Sequence, residues 1–147
     1  MEKLYYSYDL FVKDTQLLVD KCRDFEPEIL LAVARGGLTL AHLMSQAMDM
    51  RNLYTLNSIH YEGDLKLDTF NIFNIPDVSH VKKVLIVDDI VDSGETIREI
   101  LKVLNEKFPN VEFRLATLFY KKTAVLKPDY YIKEANQWID FFWEVDV

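Results

Sequence analysis

Two periodicities alternate along this chain. Near the N-terminus Phe11, Thr15, Leu18, Cys22 and Phe25 recur on one helical stripe, with Asp9 as a capping residue and Pro27 closing the segment. Residues 29–34 form an unbroken apolar run of strand length. Arg35-Gly36-Gly37 ends it, and residues 38–50 return to a helical pattern. A further strand is predicted over 53–59. From 60 to 81 the chain turns polar and loses its period, with Gly63, Asp64, Lys66, Asp68 and Pro76. Connections of that length in compact domains are usually functional or disordered. Residues 84–87 are consecutive apolar residues, as expected of a strand buried on both faces. Asp88 and Asp89 stand where that strand would end. Helical spacing resumes at Ile97, Ile100, Leu101, Leu104 and Phe108. Strands are predicted over 111–119 and 130–132. The aromatic segment 138–143 reads as a core or subunit-interface strand at Phe141, Phe142 and Trp143.

The stretch 83–98 carries the most chemistry. A strand, a polar turn and a helix together surround an anion with backbone N–H groups and a helix N-terminus. Gly94 permits close backbone approach and a left-handed turn. Ser93 and Thr96 add hydroxyls, a set that fits a phosphate monoester. Asp88 and Asp89 would repel phosphate but accept hydrogen bonds from a sugar diol. A phosphorylated sugar satisfies both halves. Gly36 and Gly37, between a strand and a helix, form a second anion site of the same kind. The chain has four glycines, and three of them fall in these two loops. The bland alternatives are a generic α/β strand end for 83–98 and an ordinary tight turn at Gly36-Gly37. No G-x-G-x-x-G follows a strand, and no G-x-x-x-x-G-K-[ST] occurs.

Composition narrows the field. At 147 residues, half of them apolar or aromatic, the chain suits one globular domain, 1–147. A formal charge of −7 argues against a broad nucleic-acid footprint. It also means that a phosphate-rich ligand needs local help from Mg²⁺ or particular basic residues. The single cysteine, Cys22, excludes an internal disulfide framework and fits a reducing, cytoplasmic setting, where it acts as a small core hydrophobe. The N-terminus lacks the apolar run of a signal peptide, and no stretch is long enough to span a membrane. No His/Cys/Asp cluster has zinc-site spacing. His42, His60 and His80 read as packing or surface residues.

Two acids after a hydrophobic strand, two apolar residues, then Asp92-Ser93-Gly94-Glu95-Thr96, resemble the phosphoribosyl pyrophosphate (PRPP) signature of type I phosphoribosyltransferases. The chain is similar along nearly its whole length to the bacterial xanthine-guanine phosphoribosyltransferases. The shared features are the Arg-Gly-Gly loop, Phe119-Tyr120-Lys121 after a strand, and Trp138-Ile139-Asp140 near the end. The resemblance implies an α/β fold of the type I phosphoribosyltransferase kind. That fold has a central, mainly parallel twisted sheet flanked by helices, a flexible flap over about 60–81 and a small hood over about 120–147.

It also implies a function. The enzyme would transfer the phosphoribosyl group from PRPP to N9 of guanine, xanthine or hypoxanthine, yielding a nucleoside monophosphate and pyrophosphate. The cofactor would be Mg²⁺, neutralising the leaving group. Asp88 and Asp89 would hold the ribose hydroxyls and metal, with Asp140 near a second metal or pyrophosphate. Asp92, Ser93, Gly94, Glu95 and Thr96 would hold the 5′-phosphate; Arg35, Gly36 and Gly37 would receive pyrophosphate. Trp138 would stack on the base, and the backbone of Ile139 would meet its 2-position edge. Asp92 would take the purine N7 proton; its bland role is a turn or capping aspartate. Lys121 would donate to the 6-oxo group, because an ammonium is a donor only and disfavours a 6-amino group. A solvated lysine is the plain alternative, and Lys122 competes for the role. The family also forms homodimers or homotetramers.

Three departures qualify the likeness. Ile59 and His60 separate Ser58 from Tyr61, where the family has an adjacent Ser-Tyr pair. Glu95 adjoins the phosphate loop and is expected to turn its side chain away. The chain ends soon after Trp143, which leaves the 2-position preference open. The rival readings are a hypoxanthine-guanine enzyme without xanthine activity and a non-catalytic PRPP-binding regulator. Against the second stand the acidic charge, the lack of a segment for a DNA-binding module and the presence of Asp92.

Overall fold

The fold turns on strands that are apolar on both faces. In the computed structural model, which describes residues 2–61 and 69–147, β2 (Ile29–Ala34) and β5 (Lys83–Val91) lie side by side in parallel. Leu30, Ala32, Leu85 and Val87 point to one core; Ile29, Leu31, Val84 and Ile86 point to the other. Such strands must be covered on both sides. Leu18 of α1 (Tyr8–Cys22) and Leu40 and Met44 of α2 (Leu38–Ala47) join the first core. Ile97, Ile100 and Leu104 of α3 (Glu95–Lys107) join the second. The remaining strands are β1 (Lys3–Tyr6), β3 (Leu53–Tyr61), β4 (Thr69–Phe73), β6 (Glu112–Tyr120), β7 (Tyr130–Glu134) and β8 (Trp138–Phe141). The main sheet has the order β4-β3-β2-β5-β6-β7, and only β3 and β4 pair antiparallel. A separate parallel ribbon joins β1 to β8. Among the described residues no helix is long and apolar enough to cross a membrane.

Several local expectations change. Ser7, not Asp9, caps α1: its Oγ accepts from the Leu10 N–H at 3.2 Å, while Asp9 lies in the first turn. β5 does not stop before the acids. Its ladder with β6 continues through Asp88↔Thr117, Ile90↔Phe119 and Val91↔Tyr120, because main-chain pairing does not require apolar side chains. The polar stretch 60–81 is partly regular: β3 runs on through His60 and Tyr61, and β4 folds back on it. Gly63, Asp64, Lys66 and Asp68 lie outside the described residues. Cys22 is fully buried, and burial pushes its thiol up to about 12.

Candidate functional site

In the main sheet the chain proceeds from β2 outward to β3 on one side, and from β5 outward to β6 on the other. Open α/β sheets bind ligands beyond the carboxyl ends of the strands at such a reversal. The loops after β2 and β5 meet there, and the register Ala32↔Val87 sets Arg35-Gly36-Gly37 beside Asp88 and Asp89. The contact is tight. A Cβ on Gly36 would come within 2.8 Å of the Asp89 carboxylate, and one on Gly37 would strike the Val87 and Val33 carbonyls. The Gly37 N–H donates to Val33 C=O at 2.8 Å, so that amide is already engaged. A non-proline cis peptide joins Ala34 to Arg35, one bond before Arg35–Gly36. Arg35 itself is exposed.

Asp88 and Asp89 are packed on strand β5, with Asp89 buried. Asp88 Oδ1 accepts from the Asp89 N–H at 2.8 Å, and Asp89 Oδ1 from the Ile90 N–H at 2.7 Å. Removal from water raises both carboxyls above their usual range, and the neighbouring Asp89 charge raises Asp88 further. Such a pair favours a hard cation or a diol that returns the lost hydrogen bonds.

The turn after β5 closes around Gly94, whose φ of 83° is left-handed. A Cβ there would lie 3.0 Å from the Leu126 amide nitrogen, and the Ser93 carbonyl accepts from the Val125 N–H at 2.8 Å. Asp88, Asp92, Ser93, Gly94 and Thr96 line a cavity of about 190 Å³ at the start of α3. Glu95 is not among its lining residues, and its N–H donates to Ser93 Oγ at 3.2 Å.

A second cavity, of about 120 Å³, is walled by Asp92, Lys121, Trp138 and Ile139. Lys121 Nζ lies 2.7 Å from Asp92 Oδ1. Lys122 instead faces Glu134, at 3.7 Å. Trp138 is 53% exposed, with its ring available to a ligand, whereas Ile139 is buried. A third cavity, of about 660 Å³, takes in Arg35, Gly36, Asp140 and again Asp89 and Trp138. Shared walls make one cleft of the three: Asp92 joins the first two, and Asp89 and Trp138 join the last two.

The lining residues not marked by the sequence include Gln137, Glu144 and Lys3. Glu144 borders two of the cavities, and its carboxyl is raised by partial burial and by Asp89 and Asp140. No spacing signal marks these residues: Lys3 enters through its pairing with Trp138, and Gln137 and Glu144 lie outside the two ends of β8. Ser58 and Tyr61 lie on β3 opposite Ile72 and Thr69, and neither lines these cavities. His42 and His80 are exposed, and His60 stacks on Phe70 at 4.4 Å. Among the described residues no cluster of three or more His, Cys, Asp or Glu side chains could hold a metal by itself.

Comparison with known proteins shows the family and the fold. Residues 13–147 match the family model described as phosphoribosyl transferase domain. The sequence is 27% identical over 154 residues to a xanthine-guanine phosphoribosyltransferase of Roseobacter denitrificans, covering 95% of this chain and 84% of that one. The structure resembles the Helicobacter pylori xanthine-guanine-hypoxanthine phosphoribosyltransferase with a TM-score of 0.91 and 43% identity, over 98% of this chain and 95% of that one. It also resembles a purine phosphoribosyltransferase from Pyrococcus horikoshii, with a TM-score of 0.86 and 30% identity over 100% and 97% of the two chains.

Proposed function

Since the chain belongs to the phosphoribosyl transferase domain family, we propose that it is a purine salvage enzyme: it transfers the phosphoribosyl group of PRPP to N9 of a 6-oxopurine and releases pyrophosphate. One observation carries the choice of base. The Lys121 ammonium and the Asp92 carboxylate stand 2.7 Å apart in the wall of a cavity that also has Trp138. A 6-oxopurine presents an acceptor, O6, next to N7–H, a donor. The lysine–aspartate pair is the complement of that edge. Adenine would set its 6-amino donors against the ammonium.

Each residue then has a task. Trp138 stacks on the purine face, and the Ile139 backbone meets the 2-position edge. Ser93, Gly94 and Thr96, with the backbone of Asp92 and Glu95, hold the 5′-phosphate at the start of α3. Asp88 and Asp89 accept from the ribose hydroxyls. Arg35 and the Gly36 amide receive pyrophosphate. As the C1′–O bond breaks, positive charge develops on the ribose, N9 attacks from the opposite face, and Asp92 takes the N7 proton. The donor set is all oxygen and too small for a protein cage, which suits a cation that keeps substrate and water ligands. Asp88 and Asp89 would hold Mg²⁺ together with substrate oxygens, with Asp140 near a second metal or pyrophosphate, and the ion would supply neutralisation of the leaving group's charge. By the same family likeness the enzyme works as a homodimer or homotetramer in the cytoplasm, which sedimentation and cell fractionation test.

The deciding assay is nucleotide formation from PRPP and Mg²⁺ with guanine, xanthine, hypoxanthine and adenine in parallel. Turnover of 6-oxopurines but not adenine is expected. Asp92→Asn should lower kcat by about 10²–10⁴-fold, the usual worth of a positioned base. Lys121→Ala should weaken the preference for the 6-oxo group. Binding of PRPP without turnover of any base would instead mark a PRPP-sensing regulator.

A further inference from the structure

The two groups that would grip the base belong to different sheets. Lys121 follows β6 of the six-stranded sheet, whereas Trp138 and Ile139 lie on β8 of the β1·β8 ribbon. Among the described residues no ladder joins the two sheets; the short link 135–137, whose Ala135 N–H donates to Tyr120 C=O at 2.9 Å, connects them, and side chains pack across the gap.

Tyr6 of β1 stands at that junction and is fully buried. Its ring meets Phe119 of β6 edge-on at 5.1 Å and Phe141 of β8 at 5.8 Å. Its hydroxyl donates to Asp14 Oδ2 at 2.8 Å. Asp14, on the apolar face of α1, is only 3% exposed, and the same oxygen meets Lys133 Nζ of β7 at 3.2 Å. Lys133 is the β7 partner of Phe119 in the ladder. A carboxylate this deep is costly unless paired. Its two partners come from the ribbon and from the main sheet.

We propose that Tyr6, Asp14 and Lys133 form a clamp that fixes the spacing between Lys121 and Trp138, and so controls affinity for the purine more than for PRPP. They are positioning residues and touch no substrate. The inference rests on the base site proposed above.

Tyr6→Phe tests it, because the ring contacts stay and only the hydroxyl is lost. The KM for guanine should rise about fivefold, the worth of one buried hydrogen bond, while kcat and the KM for PRPP hold within about twofold. Lys133→Met, on a half-exposed side chain, should give the same split, and the double variant should cost less than the sum of the two changes. A lowered melting midpoint with both KM values unmoved would reduce the clamp to ordinary stability and overturn the proposal. So would both KM values rising together. An active parent enzyme whose guanine KM ignores Tyr6→Phe overturns the clamp alone; a parent that turns over no 6-oxopurine overturns the clamp and the base site with it.

Discussion

Gly36 and Gly37 are adjacent and face different obstacles. A side chain at Gly37 meets main-chain carbonyls of β2 and β5, which cannot move without breaking the sheet. Gly37→Ala should therefore cost about 1–3 kcal/mol or more of stability, seen as a lower melting midpoint or insoluble protein. A side chain at Gly36 meets the Asp89 carboxylate, which can turn aside. Gly36→Ala should melt close to the parent and yet lose turnover, because the displaced acid is one of the two assigned to ribose. Equal melting losses in the two variants would contradict this distinction. At this scale the residues that line the candidate cleft were legible: Arg35, Asp92, Lys121 and Trp138 all border it. The buried pairing of Tyr6 with Asp14 was not, since an acid on an apolar stripe gives no sign of its partner eight residues away.

Elements marked by an unbroken apolar run or a clean helical period match the expectation. β2 spans Ile29–Ala34 as expected, and α3 buries Ile97, Ile100 and Leu104. Elements interrupted by polar residues were cut short or missed. β5 carries two acids yet keeps its ladder, and β1 is too short to show a period; the aromatic strand expected at Phe141, Phe142 and Trp143 ends at Phe141 as β8, with Phe142 and Trp143 in the turn beyond it. The weight of β5 in the fold can be measured. Leu85 is fully buried in the core shared by α1 and α2. Leu85→Ala should lower unfolding free energy by about 2–5 kcal/mol in urea titration, the range for a leucine cavity in a rigid core. A change under about 1 kcal/mol would mean that this core collapses readily around the gap.

At the scale of the whole molecule, charge is the difficulty. On the function proposed above, a chain of formal charge −7 accepts a polyanion in a cleft lined by Asp89, Asp92, Asp140 and Glu144, with Arg35, Lys3 and Lys121 as its cations. Turnover should therefore vanish in EDTA and return with added Mg²⁺. Undiminished turnover in EDTA would mean that the basic residues suffice. The cleft draws on the N-terminal strand, the loops after β2, β5 and β6, and the C-terminal ribbon, segments that meet only because of sheet order. The sequence by itself determined the α/β class, the left-handed glycine turn at Ser93-Gly94 and the residue types that line the cleft, because strand, turn and helix signals act over a few neighbouring positions. Only the tertiary structure decided that Lys121 pairs with Asp92, that Lys122 turns to Glu134, and that Lys3 and Glu144 enter the cleft. Those contacts join residues far apart in the chain, and their distances follow from strand register and helix packing, which no local pattern encodes.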